Sequence, residues 1–120
     1  MEKANGILME LAQCTGTERY HTNGRHPSAV YTDGIKTMAD LCGAYWFIDL
    51  VFSYQYGRVA HEWFQIWMLK KQPDETWVAT MKTDTNQPPM LTQAIDFSDF
   101  PLDHFECYFI DNVMLLKNEY

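Results

Sequence analysis

Residues 33–56 constrain the fold of this 120-residue chain more than any other stretch. Met38, Leu41, Tyr45, Ile48 and Phe52 recur at steps of three and four, and Ala44, Phe47, Val51 and Tyr54 widen the apolar surface around them. That period predicts a helix. A helix apolar nearly all round is buried on more than one side. Thr32 or Asp33 supplies a side-chain oxygen to cap the first N–H groups, and Gly57 supplies a stop. The expectation is one long core helix over 33–56, packed on a sheet and also against a second element.

After Gly57 the period changes to two. Residues 62–70, EWFQIWMLK, set Phe64, Ile66 and Met68 against Trp63, Gln65, Trp67 and Leu69. Bulk on both faces predicts a central strand. Gln72-Pro73-Asp74-Glu75 is a turn, and TWVATMK returns from it as a second strand. Residues 91–97 make a third strand, and 105–110 and 113–116 flank the two-residue link Asp111-Asn112, which suits a tight hairpin. Before the long helix, residues 2–13 form a short helix with Ile7, Leu8, Leu11 and Ala12 on one side, and 15–32 read as a loop. The fold class is therefore α+β: a short N-terminal helix and a long central helix on an antiparallel sheet of four or five strands, in one domain over 1–120.

Charge and thiol content narrow the function. Sixteen acidic residues against nine basic ones give a net charge of −7, which argues against direct nucleic-acid binding through phosphates. No apolar run is long enough to span a bilayer, since Asp49 interrupts 41–56, and the first residues lack a signal-peptide pattern. Cys14, Cys42 and Cys107 are odd in number and widely spaced, as in a cytoplasmic protein with reduced thiols. His21, His26, His61 and His104 lack metal-ligand spacing, so no metal and no cofactor are expected, and no set of residues names a reaction.

Several segments carry a likeness: Thr15-Gly16-Thr17 with Tyr20, Val30-Tyr31-Thr32-Asp33-Gly34-Ile35-Lys36, and Ala44-Tyr45-Trp46-Phe47-Ile48-Asp49 on to Ser53-Tyr54-Gln55. Phe64-Gln65-Ile66-Trp67, Asp99-Phe100-Pro101-Leu102 and Leu115-Leu116-Lys117-Asn118-Glu119-Tyr120 complete them. Together they resemble an uncharacterised family of small bacterial and mobile-element proteins, classed only as a domain of unknown function. The resemblance implies an intracellular protein of bacterial, plasmid or phage origin. It assigns no catalytic residue.

Two function classes follow from the residues. From Thr83 to Leu116 there is no Lys or Arg, while Asp84, Asp96, Asp99, Asp103, Glu106 and Asp111 are all acidic. Aromatics stand among them, so Asp96, Phe97, Asp99, Phe100, Asp103, Phe105, Glu106 and Tyr108 are the candidate protein-binding residues. The leading expectation is a non-enzymatic interaction protein that binds a basic protein partner, in one form an inhibitor of a host defence or nucleic-acid-processing complex. The alternative is a small-molecule binder or enzyme with an apolar pocket between helix and sheet, its contacts being Tyr45, Asp49, His61 and Trp67. Asp49 stands alone among apolar residues and must face water, pair with a cation such as Arg58, or accept hydrogen bonds. The start of the long helix presents N–H groups that suit an anion, but a capping side chain competes for them. The apolar helix and the strand around Trp63 and Trp67 also predict a homodimer.

Overall fold

The helix expected over 33–56 breaks at Gly43. The computed structural model describes residues 2–120 and has, in chain order, α1 (Glu2–Ala12), β1 (Tyr20–His21), β2 (Val30–Thr32), α2 (Asp33–Cys42) and α3 (Tyr45–Ser53). Short 3-10 turns at Tyr54–Tyr56 and Arg58–His61 lead to β3 (Phe64–Lys71), β4 (Trp77–Lys82), β5 (Leu91–Ile95), β6 (His104–Ile110) and β7 (Val113–Leu116). Gly43 takes the left-handed conformation at φ 61° and donates its N–H to the Ala39 carbonyl, and Ala44 donates to the same oxygen at 3.0 Å. This closes α2 as a left-handed C-cap. The long central helix is thus replaced by two short ones, for a physical reason. A straight helix apolar all round leaves one face uncovered on a single sheet, whereas two shorter helices lay more of their apolar surface on one layer. Ile35, Met38, Phe47, Ile48, Val51 and Phe52 are all buried, while Leu41 and Tyr45 remain more than a third exposed.

The sheet is larger than expected and is not purely antiparallel. Its seven strands run in the order β1-β2-β7-β6-β3-β4-β5. The strands from β3 onward pair antiparallel with one another. β1 and β2 come from the segment read as a loop, and β2 joins β7 in parallel, with Val30 opposite Val113 and Tyr31 opposite Met114. Runs of two and three residues are too short to show a period of two, so alternation gave no sign of them. The overall class, α+β, stands. Asp111 and Asn112 both take positive φ, 49° and 69°, as a two-residue hairpin of primed type requires.

Alternation along the strands sends Gln65, Trp67 and Leu69, with Phe105, Cys107 and Phe109, toward the helices. There Phe47 meets Phe105 edge-on at 6.2 Å, and Phe52 meets Phe109 at 5.9 Å. Phe64, Met68, Tyr108 and Ile110 point the other way and are only partly covered. From α1, Ile7 and Leu11 join the core, whereas Leu8 is half exposed.

Two polar devices hold this frame. Gln55 and Gln65, both buried, exchange amide hydrogen bonds at 2.9 Å, and the Trp67 indole N–H donates to Gln65 Oε1 at 2.8 Å. Gln65 also donates to the carbonyls of Val59 and Glu62, which fixes the 3-10 turn against β3. The second device is Glu119. Its Oε1 accepts from the Thr32 hydroxyl at 2.7 Å and from the Leu116 N–H at 2.8 Å, and its Oε2 accepts from the Gly34 N–H at 3.3 Å. A Cβ on Gly34 would stand 2.5–2.8 Å from that carboxylate, so a side chain there would make Glu119 shift out of its hydrogen bonds.

Two stability outcomes follow. Ile48→Ala, at a site 1% exposed, should lower unfolding stability by about 2–5 kcal/mol in a urea titration. Gly34→Ala and Glu119→Ala should each cost about 1–3 kcal/mol. The double variant should cost little more than either alone, because both remove the same contact.

Candidate functional site

The start of α2 is the most densely bonded part of the molecule, and it is filled from within. Thr32 is the N-cap and accepts from the Ile35 N–H. Glu119 takes the Gly34 N–H, so a carboxylate of the chain itself sits where an external anion would bind. Asp33 turns outward instead. Its Oδ2 accepts from the N–H groups of Glu18 and Arg19 at 2.9 and 3.3 Å, and its Oδ1 lies 2.8 Å from His21 Nε2. The hydrogen bond from His21, then that from Glu18, holds the Asp33 carboxyl down at about 2. These bonds fold the 15–21 segment onto the sheet edge and make β1 possible.

Asp49 has a comparable structural use. It is part-exposed, accepts from Asn23 Nδ2 at 2.8 Å, and lies 3.6 Å from Arg25 Nε. Arg58, considered above as its partner, instead donates to the Met90 carbonyl. Tyr45 donates to Asp40, and that bond raises the Tyr45 hydroxyl above its ordinary range. His61 is exposed at the far end of the 3-10 turn, and Trp67 is fully buried beneath the helices. The structure does not gather Tyr45, Asp49, His61 and Trp67 around one cavity.

The thiols lack the setting of a nucleophile. Burial pushes Cys42 up to about 11 and raises Cys107 further, and it raises Cys14 as well. Among the described residues no three His, Cys, Asp or Glu side chains are grouped as metal ligands.

The acidic-aromatic segment is divided by the fold. Phe100 and Phe105 belong to the core, where Phe100 meets Trp77 edge-on at 5.8 Å. Asp96, Phe97 and Asp99 are exposed in the β5–β6 connection, and Phe97 with Trp46 and Ile95 lines a shallow groove. Asp103 is exposed beyond them. Glu106 points to the open face of the sheet, where Lys117 Nζ pairs with it at 2.6 Å. Tyr108 also points to that face and has different neighbours.

Tyr108 lies beside Phe64, with ring centroids 5.0 Å apart, and Tyr120 stacks edge-on to both, at 5.6 and 5.9 Å. Trp63, 63% exposed, meets Phe64 at 5.6 Å. These rings, with Glu62 and Asp84, line an open cleft of about 430 Å³ on the side of the sheet away from the helices. The register of Ile66 opposite both Tyr108 and Lys82 brings β6 and the β4–β5 connection to one place. The sequence marks Trp63 as part of a dimer surface and Asp84 as part of the acidic segment, but does not show that they meet Glu62 and Tyr120, because the four come from three distant segments. The available sign was bulk on both faces of 62–70.

A family model covers residues 5–120. The chain belongs to DUF6876, a family of unknown function. No curated protein and no solved structure matches it. The uncharacterised family expected from the quoted motifs is therefore present, and in this DUF6876 member several of those motifs meet. The Thr15-Gly16-Thr17 segment, the Val30–Gly34 segment and the final Leu115–Tyr120 segment converge on the start of α2.

Asp33 gives this junction a pH dependence. Its folded value of about 2 lies below the ordinary carboxyl value of 3.8. Its contribution is complete above the unfolded value and is lost as pH falls through the folded one. In denaturant titrations, the stability advantage of the native chain over Asp33→Asn should shrink from about pH 5 down to about pH 2. An advantage that stays constant across that range would remove Asp33 from the acid response.

Proposed function

We propose that this DUF6876 protein is a non-enzymatic interaction protein that binds a basic protein partner on the open face of its sheet. One observation carries the reading: the cleft on that face, where exposed Trp63 and Tyr120 stand with Phe64 and Tyr108 beside Glu62 and Asp84. Aromatic anchors with a polar rim have the composition of a binding patch, and acidic side chains select a basic partner. The net charge of −7 acts in the same direction by steering cations inward at long range.

The finer form of the proposal is a cytoplasmic protein of bacterial, plasmid or phage origin that inhibits a host defence or nucleic-acid-processing complex. An acidic body suits a groove built for nucleic acid, and reduced thiols suit the cytoplasm. No helix among the described residues is long and apolar enough to cross a membrane. The aromatic face is also where a second copy would meet the first. Light scattering separates the cases: a mass of twice 14.1 kDa that falls back in Trp63→Ala would assign the face to a homodimer.

Affinity capture from bacterial lysates tests the reading. The native chain should retain a basic protein in a salt-sensitive way. Trp63→Ala should lose it, and Phe97→Ala, which alters the separate groove beside Trp46, should keep it. Capture of nothing across several hosts, or capture indifferent to Trp63→Ala and to salt, would overturn the proposal.

A further inference from the structure

We infer that the cleft between Trp63 and Tyr120 is a receptor for an arginine side chain of the partner. The inference rests on the interaction reading above and gives that site a ligand chemistry. Three features of the lining select the ligand. The first is the aromatic surface: Trp63 and Tyr120 are 63% and 72% exposed and leave ring area free for stacking. A cation placed over such faces is attracted by their electron density, most strongly at Trp. The second is charge: Glu62 and Asp84 line the cleft, while Lys82, opposite Ile66 on the same side of the sheet, lies outside the lining.

The third feature separates the cations from one another. The side chains at the polar side of the cleft are carboxylates and hydroxyls, from Glu62, Asp84, Thr83 and Thr85, and all of them accept hydrogen bonds. A quaternary ammonium has no N–H to give them. A lysine ammonium has three donors on a strongly hydrated point charge that stacks poorly. A guanidinium is planar, weakly hydrated and carries five N–H donors, so it stacks on an aromatic face and reaches carboxylates in the same pose. The buried frame under the cleft supports it. Gln65 holds the Glu62 carbonyl, and the Asp111 N–H donates to the Trp63 carbonyl at 3.0 Å, so the backbone bearing both Glu62 and Trp63 is fixed.

The test uses the full chain and a short capped peptide with a single arginine, beside versions carrying citrulline, lysine or trimethyl-lysine. Binding is followed by the Trp63 indole N–H resonance and by the backbone amides of Thr83 and Thr85. The arginine peptide should bind saturably, with citrulline and lysine weaker by about tenfold or more. Trp63→Ala should abolish saturation at the Thr83 and Thr85 amides, and Glu62→Gln should weaken binding severalfold with the fold intact by its amide spectrum. Arginine and lysine binding equally, with no effect of Trp63→Ala, would overturn the guanidinium site and leave the basic-partner reading standing. Tightest binding of trimethyl-lysine would also overturn it. No response to any cationic peptide would overturn both.

Discussion

The carboxylate of Glu119 ties the last turn of the chain to the start of α2, beside the parallel pairing of β2 with β7. It accepts from Thr32 and Gly34, more than eighty residues away, and from Leu116 beside it. A helix start leaves N–H groups without intrahelical partners, and here an internal anion supplies what water or a ligand would otherwise supply. Much of the fold hangs on this contact. It seats β2 alongside β7 as the parallel pair of an otherwise antiparallel sheet. It fixes where α2 begins and leaves Asp33 free to turn outward and organise the 15–21 segment. Gly34 leaves room for it, since the carboxylate occupies the space a side chain would take.

The buried glutamine pair acts at the opposite end of the helical layer. Amides sealed from water must find partners, and Gln55 and Gln65 find them in each other, in Trp67 and in the carbonyls of the 3-10 turn. The chain is thereby drawn across the end of the sheet before β3 begins. Trp63 is left outside the strand, exposed beside Phe64, while Trp67 four residues later is fully buried. The same lock that completes the core therefore sets the edge of the aromatic cleft. Core and surface are coupled through a few polar atoms.

The division of the acidic segment shows how little linear proximity says about a surface. Asp84 lines the cleft, Asp99 borders the Trp46 groove, and Glu106 pairs with Lys117. Phe100 and Phe105 look like surface anchors beside these carboxylates in the sequence, yet they fill the core. For Phe105 strand alternation decides this, since neighbours along a strand point to opposite faces, whereas Phe100 is folded inward from the β5–β6 connection onto Trp77.

The sequence alone determined the α+β class, the run of strand segments after Gly57, the tight two-residue link at Asp111-Asn112, and the membership suggested by the Val30–Lys36 and Ala44–Asp49 motifs. These are properties of local period, turn chemistry and motif, all contained in short windows. Only the tertiary structure decided that the apolar run over 33–56 is two helices, because an interior glycine breaks a helix only where the break lets more surface be buried. It alone decided that two fragments of a loop become strands, because β2 is held by β7 and β1 by Asp33. It alone gathered Glu62, Trp63, Asp84, Tyr108 and Tyr120, since their meeting depends on strand register. Register is a long-range choice, set by which face of every strand must leave water at once.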